Sequence, residues 1–269
     1  MNKSAMCDIV KRLQLVLEKV KEVASKRPQE LQLIQPRLVA VSKTKPIELI
    51  IAAYNAGQRH FGENYVQELV EKSNNPEILE KCKDIKWHFI GNLQRNKVNK
   101  IISVPNIYLV ETVDSEKLAS ALDKAWEKLN KPEKLKVFVQ INTSGEEAKN
   151  GIEPKSATAL TQFIRQQCHS LQFSGLMTIG RFDHDLSKGP NPDFQCLIQC
   201  RNQVIEDTGI SPSEMELSMG MSGDFEHAIE MGSTSVRVGS SIFGEREYKR
   251  RESTTTEGIQ EDIDKLKVN

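Results

Sequence analysis

The sequence predicts an α/β fold, a closed (β/α)8 barrel of the TIM type with an extra N-terminal helix, and three observations carry that prediction. Apolar or β-branched runs alternate with helical patterns, eight such units occur with no leftover half, and each run is short enough to be a strand. Strict alternation implies parallel strands, because parallel neighbours need a crossover connection. An open doubly wound sheet is the competing architecture. It would carry a GxGxxG turn after its first strand, whereas here that strand runs into Ser42-Lys43-Thr44-Lys45.

The expected strands are Leu38–Ser42, His60–Gly62, Trp87–Gly91, Ile107–Val113, Lys136–Asn142, Phe173–Ile179, Met215–Met219 and Ser235–Phe243. Helical patterns fall between them at Ile47–Ala56, Val66–Ser73, Arg95–Ile102, Glu116–Leu129, Ser156–Cys168, Phe194–Thr208 and Phe225–Met231. Ahead of the barrel, Ala5 to Arg27 carries Ile9, Leu13, Val16, Leu17, Val20 and Val23 on one stripe of an amphipathic helix. Acidic residues among its lysines speak against a transit peptide. Asp114-Ser115 caps the fourth barrel helix, Pro46 and Pro154 sit at helix starts, and Gly57 and Gly232 follow helical runs.

Residues 1–36 therefore form a helix and lead-in, residues 37–248 the barrel, and residues 249–269 a charged, hydroxyl-rich tail expected to be disordered. No second domain is expected after the last strand.

Composition narrows the function. The chain has 269 residues, with 37 Lys+Arg against 37 Asp+Glu, which argues against a broad nucleic-acid footprint. No apolar run approaches the ~20 residues of a membrane span. Five scattered cysteines fit reduced thiols in the cytoplasm, with room for a mitochondrial pool, better than a disulfide framework. A monomer is expected.

In a closed parallel barrel, chemistry sits at the C-terminal ends of the strands. Lys43 follows the first strand directly, where partial desolvation would favour the free amine as a nucleophile toward carbonyls. Lys45 competes for the same role. In the last strand, alternation sets Ser235, Arg237 and Gly239 on one face and Val236 and Val238 on the other, so Arg237 points into the barrel. The loops after strands seven and eight are this fold's recurrent phosphate site, and Ser218-Met219-Gly220-Met221-Ser222-Gly223 and Gly239-Ser240 occupy them. A lysine, an inward arginine and a paired phosphate cradle point to pyridoxal 5'-phosphate (PLP).

Other candidates are weaker. Asp183-His184-Asp185 looks metal-like but lacks further ligands, Cys196 and Cys200 lack a second pair, and no metal is expected. His227 reads as a solvated helix position, and Trp87 and Trp126 as core.

Six ordered blocks resemble the signature of the pyridoxal phosphate homeostasis proteins, a PLP-binding family. They begin with Leu38-Val39-Ala40-Val41-Ser42-Lys43-Thr44-Lys45-Pro46, His60-Phe61-Gly62-Glu63-Asn64-Tyr65-Val66-Gln67-Glu68 and Trp87-His88-Phe89-Ile90-Gly91-Asn92-Leu93-Gln94. Gly175-Leu176-Met177-Thr178-Ile179-Gly180, Leu217-Ser218-Met219-Gly220-Met221-Ser222 and Arg237-Val238-Gly239-Ser240-Ser241-Ile242-Phe243-Gly244 complete them.

The resemblance implies a single TIM barrel of PLP fold type III, related to the N-terminal domain of alanine racemase, holding PLP as a Schiff base on Lys43. It implies phosphate contacts at Ser218, Gly220, Ser222, Gly239 and Ser240, Arg237 facing the pyridine nitrogen, and Asn64 beside the ring. Lys149 corresponds to a family lysine tied to binding or shuttling cofactor and is left outside the site. An arginine at the ring nitrogen keeps that nitrogen unprotonated and weakens the ring as an electron sink. The expected function is therefore to hold and release PLP in vitamin B6 homeostasis and amino-acid balance, with no catalytic residues and with PLP-dependent apo-enzymes as recipients. A racemase-like PLP enzyme and an aldolase-like phosphate-binding barrel without an imine are the alternatives.

Overall fold

Eight short strands, each apolar on its outer face, close on themselves in chain order in the computed structural model, which describes residues 3–146, 149–181 and 184–245. They are β1 (Arg37–Val41), β2 (His60–Glu63), β3 (Lys86–Phe89), β4 (Ile107–Val113), β5 (Leu135–Gln140), β6 (Leu171–Met177), β7 (Glu216–Ser218) and β8 (Ser235–Val238). All neighbours pair in parallel, and β1 pairs with both β2 and β8, which closes the cylinder.

The outer ring comprises α2 (Ile47–Asn55), α3 (Val66–Ser73), α4 (Pro76–Lys81), α5 (Val98–Ile102), α6 (Glu116–Glu127), α7 (Ala157–Gln167), α8 (Pro192–Thr208), α9 (Phe225–Glu230) and α10 (Ser240–Phe243). Ahead of them, α1 (Lys3–Ser25) buries Ile9, Leu13, Val16, Val20 and Val23, the stripe expected from the sequence, and packs on α2, α9 and α10 beside the β8–β1 seam. Among the described residues, no helix is long and apolar enough to cross a membrane.

Three elements differ from expectation. The run Ser235–Phe243 is not one strand: β8 stops at Val238, and the amides of Ile242 and Phe243 turn back to the Gly239 carbonyl at 3.0 and 2.9 Å, winding α10. Helix α4, capped by the Asn75 side chain on the Glu77 amide, was not expected; its six residues are too few for a periodic signal. Arg95–Lys97 forms a 3-10 turn leading into α5. The expected tail at 249–269 lies outside the described residues.

Period-two alternation divides the strand residues between two environments. Trp87, Phe89, Val110, Leu217, Met219, Val236 and Val238 join the large core between sheet and helices. Inside the cylinder, Leu109, Phe138 and Met177 form a small separate apolar cluster. Polar side chains, among them His88, Glu111, Ser218 and Arg237, share the rest of the interior, and they lead to the site.

Candidate functional site

The C-terminal mouth of the barrel holds a cavity of about 650 Å³. Lys43, Asn64, Ser222, Arg237, Gly239 and Ser240 line it, so six of the eight residues singled out from the sequence meet there. Ser218 and Gly220 do not line it. Lys45, the rival amine, donates instead to the backbone carbonyl of Glu245 at 2.7 Å.

The two turns expected to hold phosphate are joined across the mouth: the Gly239 amide donates to the Ser222 hydroxyl at 3.1 Å. Gly220 earns its place from behind. Its φ is +96°, and a Cβ there would lie 2.5 Å from that of Ala228, so only glycine lets this turn lie on α9. Asp224 also faces the cavity and accepts the Met221 amide at 2.6 Å. Burial pushes its carboxyl up, against the pull of Met221 and Arg237. Asn64 is seated by contact with the next strand's loop, where any side chain at Gly91 would collide with the Asn64 carbonyl. The Asn64 Oδ1 is buried with no hydrogen-bond partner, an acceptor that a ligand in the cavity would satisfy.

Arg237 ends a chain of hydrogen bonds through the barrel interior. Its Nη1 donates to Ser218 Oγ at 2.6 Å and its Nη2 to the Thr178 carbonyl at 2.8 Å. The Ser218 hydroxyl donates to Glu111 Oε2 at 2.6 Å, and His88 Nδ1 lies 2.8 Å from Glu111 Oε1. His60 Nδ1 in turn lies 2.8 Å from His88 Nε2.

Charge states fix the direction of every link. Burial alone would raise the Glu111 carboxyl, but the bond from His88 and the charge of Arg237 hold it below the usual carboxylate range. Burial pushes both imidazoles down, His60 to about 2, with Arg37 and Lys86 adding to the effect at each and Glu111 opposing it at His88. A neutral His88 therefore donates Nδ1–H to the ionised Glu111, accepts at Nε2, and receives Nδ1–H from His60. The donors run toward Glu111 from both ends, from His60 through His88 and from Arg237 Nη1 through Ser218, and burial is what lowers Arg237 from its ordinary value. The opposite mouth is filled: Tyr108 accepts from Lys136 at 3.1 Å, while Arg37 and Lys86 approach its ring.

Sequence reading missed Glu111 and His88. Each is a polar residue set among large apolar ones in its strand, His88 between Trp87 and Phe89 and Glu111 between Val110 and Val113, and buried in the fold, a signal that alternation offers. It also left out His184, Asn150 and Asn191, which line the cavity; Lys149, set aside earlier, lines it too. His227 is not a solvated helix position. Its Nε2 accepts the Asn191 amide at 3.2 Å and its ring packs on Phe194.

A parallel barrel closed in chain order, filled at one mouth and hollow at the other, is a (β/α)8 barrel whose open cavity lies at the C-terminal ends of its strands. The family model described as "Alanine racemase, N-terminal domain" matches residues 17–247. The pyridoxal phosphate homeostasis protein of Bos taurus is 58% identical over 239 residues, covering 89% of this chain and 88% of the relative. That of Homo sapiens is 56% identical over 239 residues, covering 89% and 87%. The chain belongs to the alanine racemase N-terminal-domain family and, within it, to the pyridoxal phosphate homeostasis proteins.

Among solved structures, PipY of Synechococcus elongatus with PLP bound is 31% identical, with a TM-score of 0.70 over 88% of this chain and 100% of that one. An alanine racemase of Clostridium difficile gives a TM-score of 0.64 at 14% identity, covering 89% of this chain and 58% of that one, a likeness of fold alone.

Proposed function

We propose that this protein binds PLP in the mouth cavity, holds it as a Schiff base on Lys43, and releases it to recipients in cytoplasmic vitamin B6 homeostasis, without catalytic turnover of its own. The observation that carries the reading is the convergence of Lys43, Arg237 and the joined turns at Ser222 and Gly239 on one cavity. A relative with 31% identity was solved with PLP bound, and relatives above 55% identity are named for PLP homeostasis.

The residues present fit the cofactor. The Asn64 oxygen lacks a partner at the cavity wall, and the serine-glycine turns suit a phosphate. When bound, PLP supplies an aldehyde and a pyridine ring able to act as an electron sink. Lys43 offers the amine. Ser222, Gly239 and Ser240 would hold the phosphate, with Ser218 and Gly220 supporting from behind by fixing Arg237 and the turn. Arg237 can only donate a hydrogen bond, so the ring nitrogen it would meet stays unprotonated. That electronic setting weakens the ring as an electron sink, disfavours broad carbanion chemistry and suits a carrier.

Borohydride reduction of the PLP-loaded protein, followed by peptide mass spectrometry, is expected to place a pyridoxyl group on Lys43. Undiminished labelling of Lys43→Ala at another lysine would overturn the assignment. Exchange of amino-acid α-protons in deuterated water at rates well above free PLP would instead establish the racemase-like enzyme.

A further inference from the structure

Lys43 is half-buried at the end of β1, and its position depends on the two peptide groups that flank it. The carbonyl of Ser42 belongs to the peptide bond before Lys43, and the amide of Thr44 to the one after. Both are tied to a single buried ion cluster on the neighbouring β2–α3 unit.

Lys72 of α3 is 7% exposed. Its ammonium donates to the Ser42 carbonyl at 2.7 Å, to Glu63 Oε1 at 2.7 Å, and lies 2.7 Å from Glu68 Oε1. Three acceptors match the three hydrogens of an ammonium. Glu68 Oε1 also accepts the Thr44 amide at 2.6 Å, and Glu63 Oε1 accepts the Ser42 hydroxyl at 2.6 Å. Thr44 has φ of +62°, a conformation a β-branched residue keeps only where its surroundings impose it.

A lysine on the core-facing side of a helix is costly to bury, and a surface lysine or an apolar residue would serve packing as well. The bonds it makes converge on the backbone of the residue that carries the amine. We propose that Lys72 is a positioning residue for Lys43. Through Ser42 on one side and Glu68–Thr44 on the other it fixes the rotation about both backbone bonds of Lys43, so that the amine is presented to the cavity rather than swung toward solvent. This inference rests on Lys43 being the amine that condenses with PLP.

The experiment compares PLP with pyridoxine 5'-phosphate, which has the same ring and phosphate but a hydroxymethyl group that cannot condense with an amine. Both affinities are measured for the wild type, Lys72→Met and Glu68→Gln, with thermal melting of each ligand-free protein. Misplacing the amine is expected to weaken PLP by about tenfold to a hundredfold in Lys72→Met while pyridoxine 5'-phosphate is held as before. Glu68→Gln, which loosens only the Thr44 side and spares the most buried carboxylate, should show the same selective loss at about threefold to tenfold. It stands in if Lys72→Met fails to fold.

Equal losses for both ligands, or none for either, would overturn the positioning role while leaving the Schiff-base reading intact. A wild-type protein with no preference for PLP over pyridoxine 5'-phosphate would overturn both.

Discussion

Two buried carboxyls flank the cavity, and their affinities for a proton are shifted in opposite directions. Glu111, behind Arg237, has both oxygens bonded, one by His88 and one by Ser218. Glu63, behind Lys43, has Oε1 crowded by Ser42 and Lys72, while Oε2 is buried with no partner. Burial raises both carboxyls. At Glu111 the surrounding donors and Arg237 outweigh it; at Glu63 they do not, and burial pushes the carboxyl to about 7, with Glu68 adding to the rise. A nearby cation is therefore not enough to hold a buried acid at its ordinary value. What decides is whether both oxygens are solvated by the protein.

The largest effect should come from removing the better-solvated acid. Glu111→Ala removes the larger of the two negative charges acting on buried Arg237, Asp224 being the other, and takes from Ser218 and His88 their acceptor. Leaving two buried donors without an acceptor and a buried cation less compensated is expected to cost about 3–5 kcal/mol, read from urea unfolding of the ligand-free protein. A loss under about 1 kcal/mol would mean that the Glu111 side is no better held than the Glu63 side, and the contrast would fail.

The second test uses proton uptake at Glu63. Its ordinary value is 4.5 and its value in the fold about 7, so the native state keeps a proton that the unfolded chain has already lost. Stability from this group is present below about pH 4.5 and fades as pH rises to about 7, a change of about 3 kcal/mol if Glu63 acts alone. The charged groups facing it are Lys72 and Glu68, with the Ser42 hydroxyl the remaining polar contact. Glu63→Gln should flatten the difference between urea midpoints at about pH 5 and pH 7.5, because a neutral amide has no proton to lose. An unchanged slope would place the titration elsewhere.

The barrel was legible because strands buried on both sides read as apolar runs and each helix carried a 3.6-residue stripe. The positions of Lys43, Arg237 and the serine-glycine turns followed from strand ends and alternation. The support behind them was not legible. Glu63 lies within a recognised block and Lys72 on a recognised helix, but their partnership depends on β2 and α3 folding back beside β1. Ser218 was read as a phosphate ligand because hydroxyls in such turns usually are. Its place on β7 instead turns it inward, between Arg237 and Glu111. Gly239 ended β8 early because its carbonyl gathers the α10 amides, a choice that the apolar run after it concealed.

The smallest expected effect separates the two lysines that the first strand delivers. Lys43 and Lys45 are two residues apart, yet only Lys43 lines the cavity, while Lys45 meets the Glu245 carbonyl at the outer surface. Lys45→Ala removes one solvent-accessible hydrogen bond, for which a change within about 0.5 kcal/mol is expected. It should leave the borohydride-trapped pyridoxyl group on Lys43 and the preference for PLP over pyridoxine 5'-phosphate as in the wild type. Loss of that preference in Lys45→Ala would show that the turn from Ser42 to Lys45, closed by the Lys45 amide on the Ser42 carbonyl at 3.0 Å, is held from its outer side as well. The ion cluster around Lys72 would then share the positioning of Lys43 with the surface.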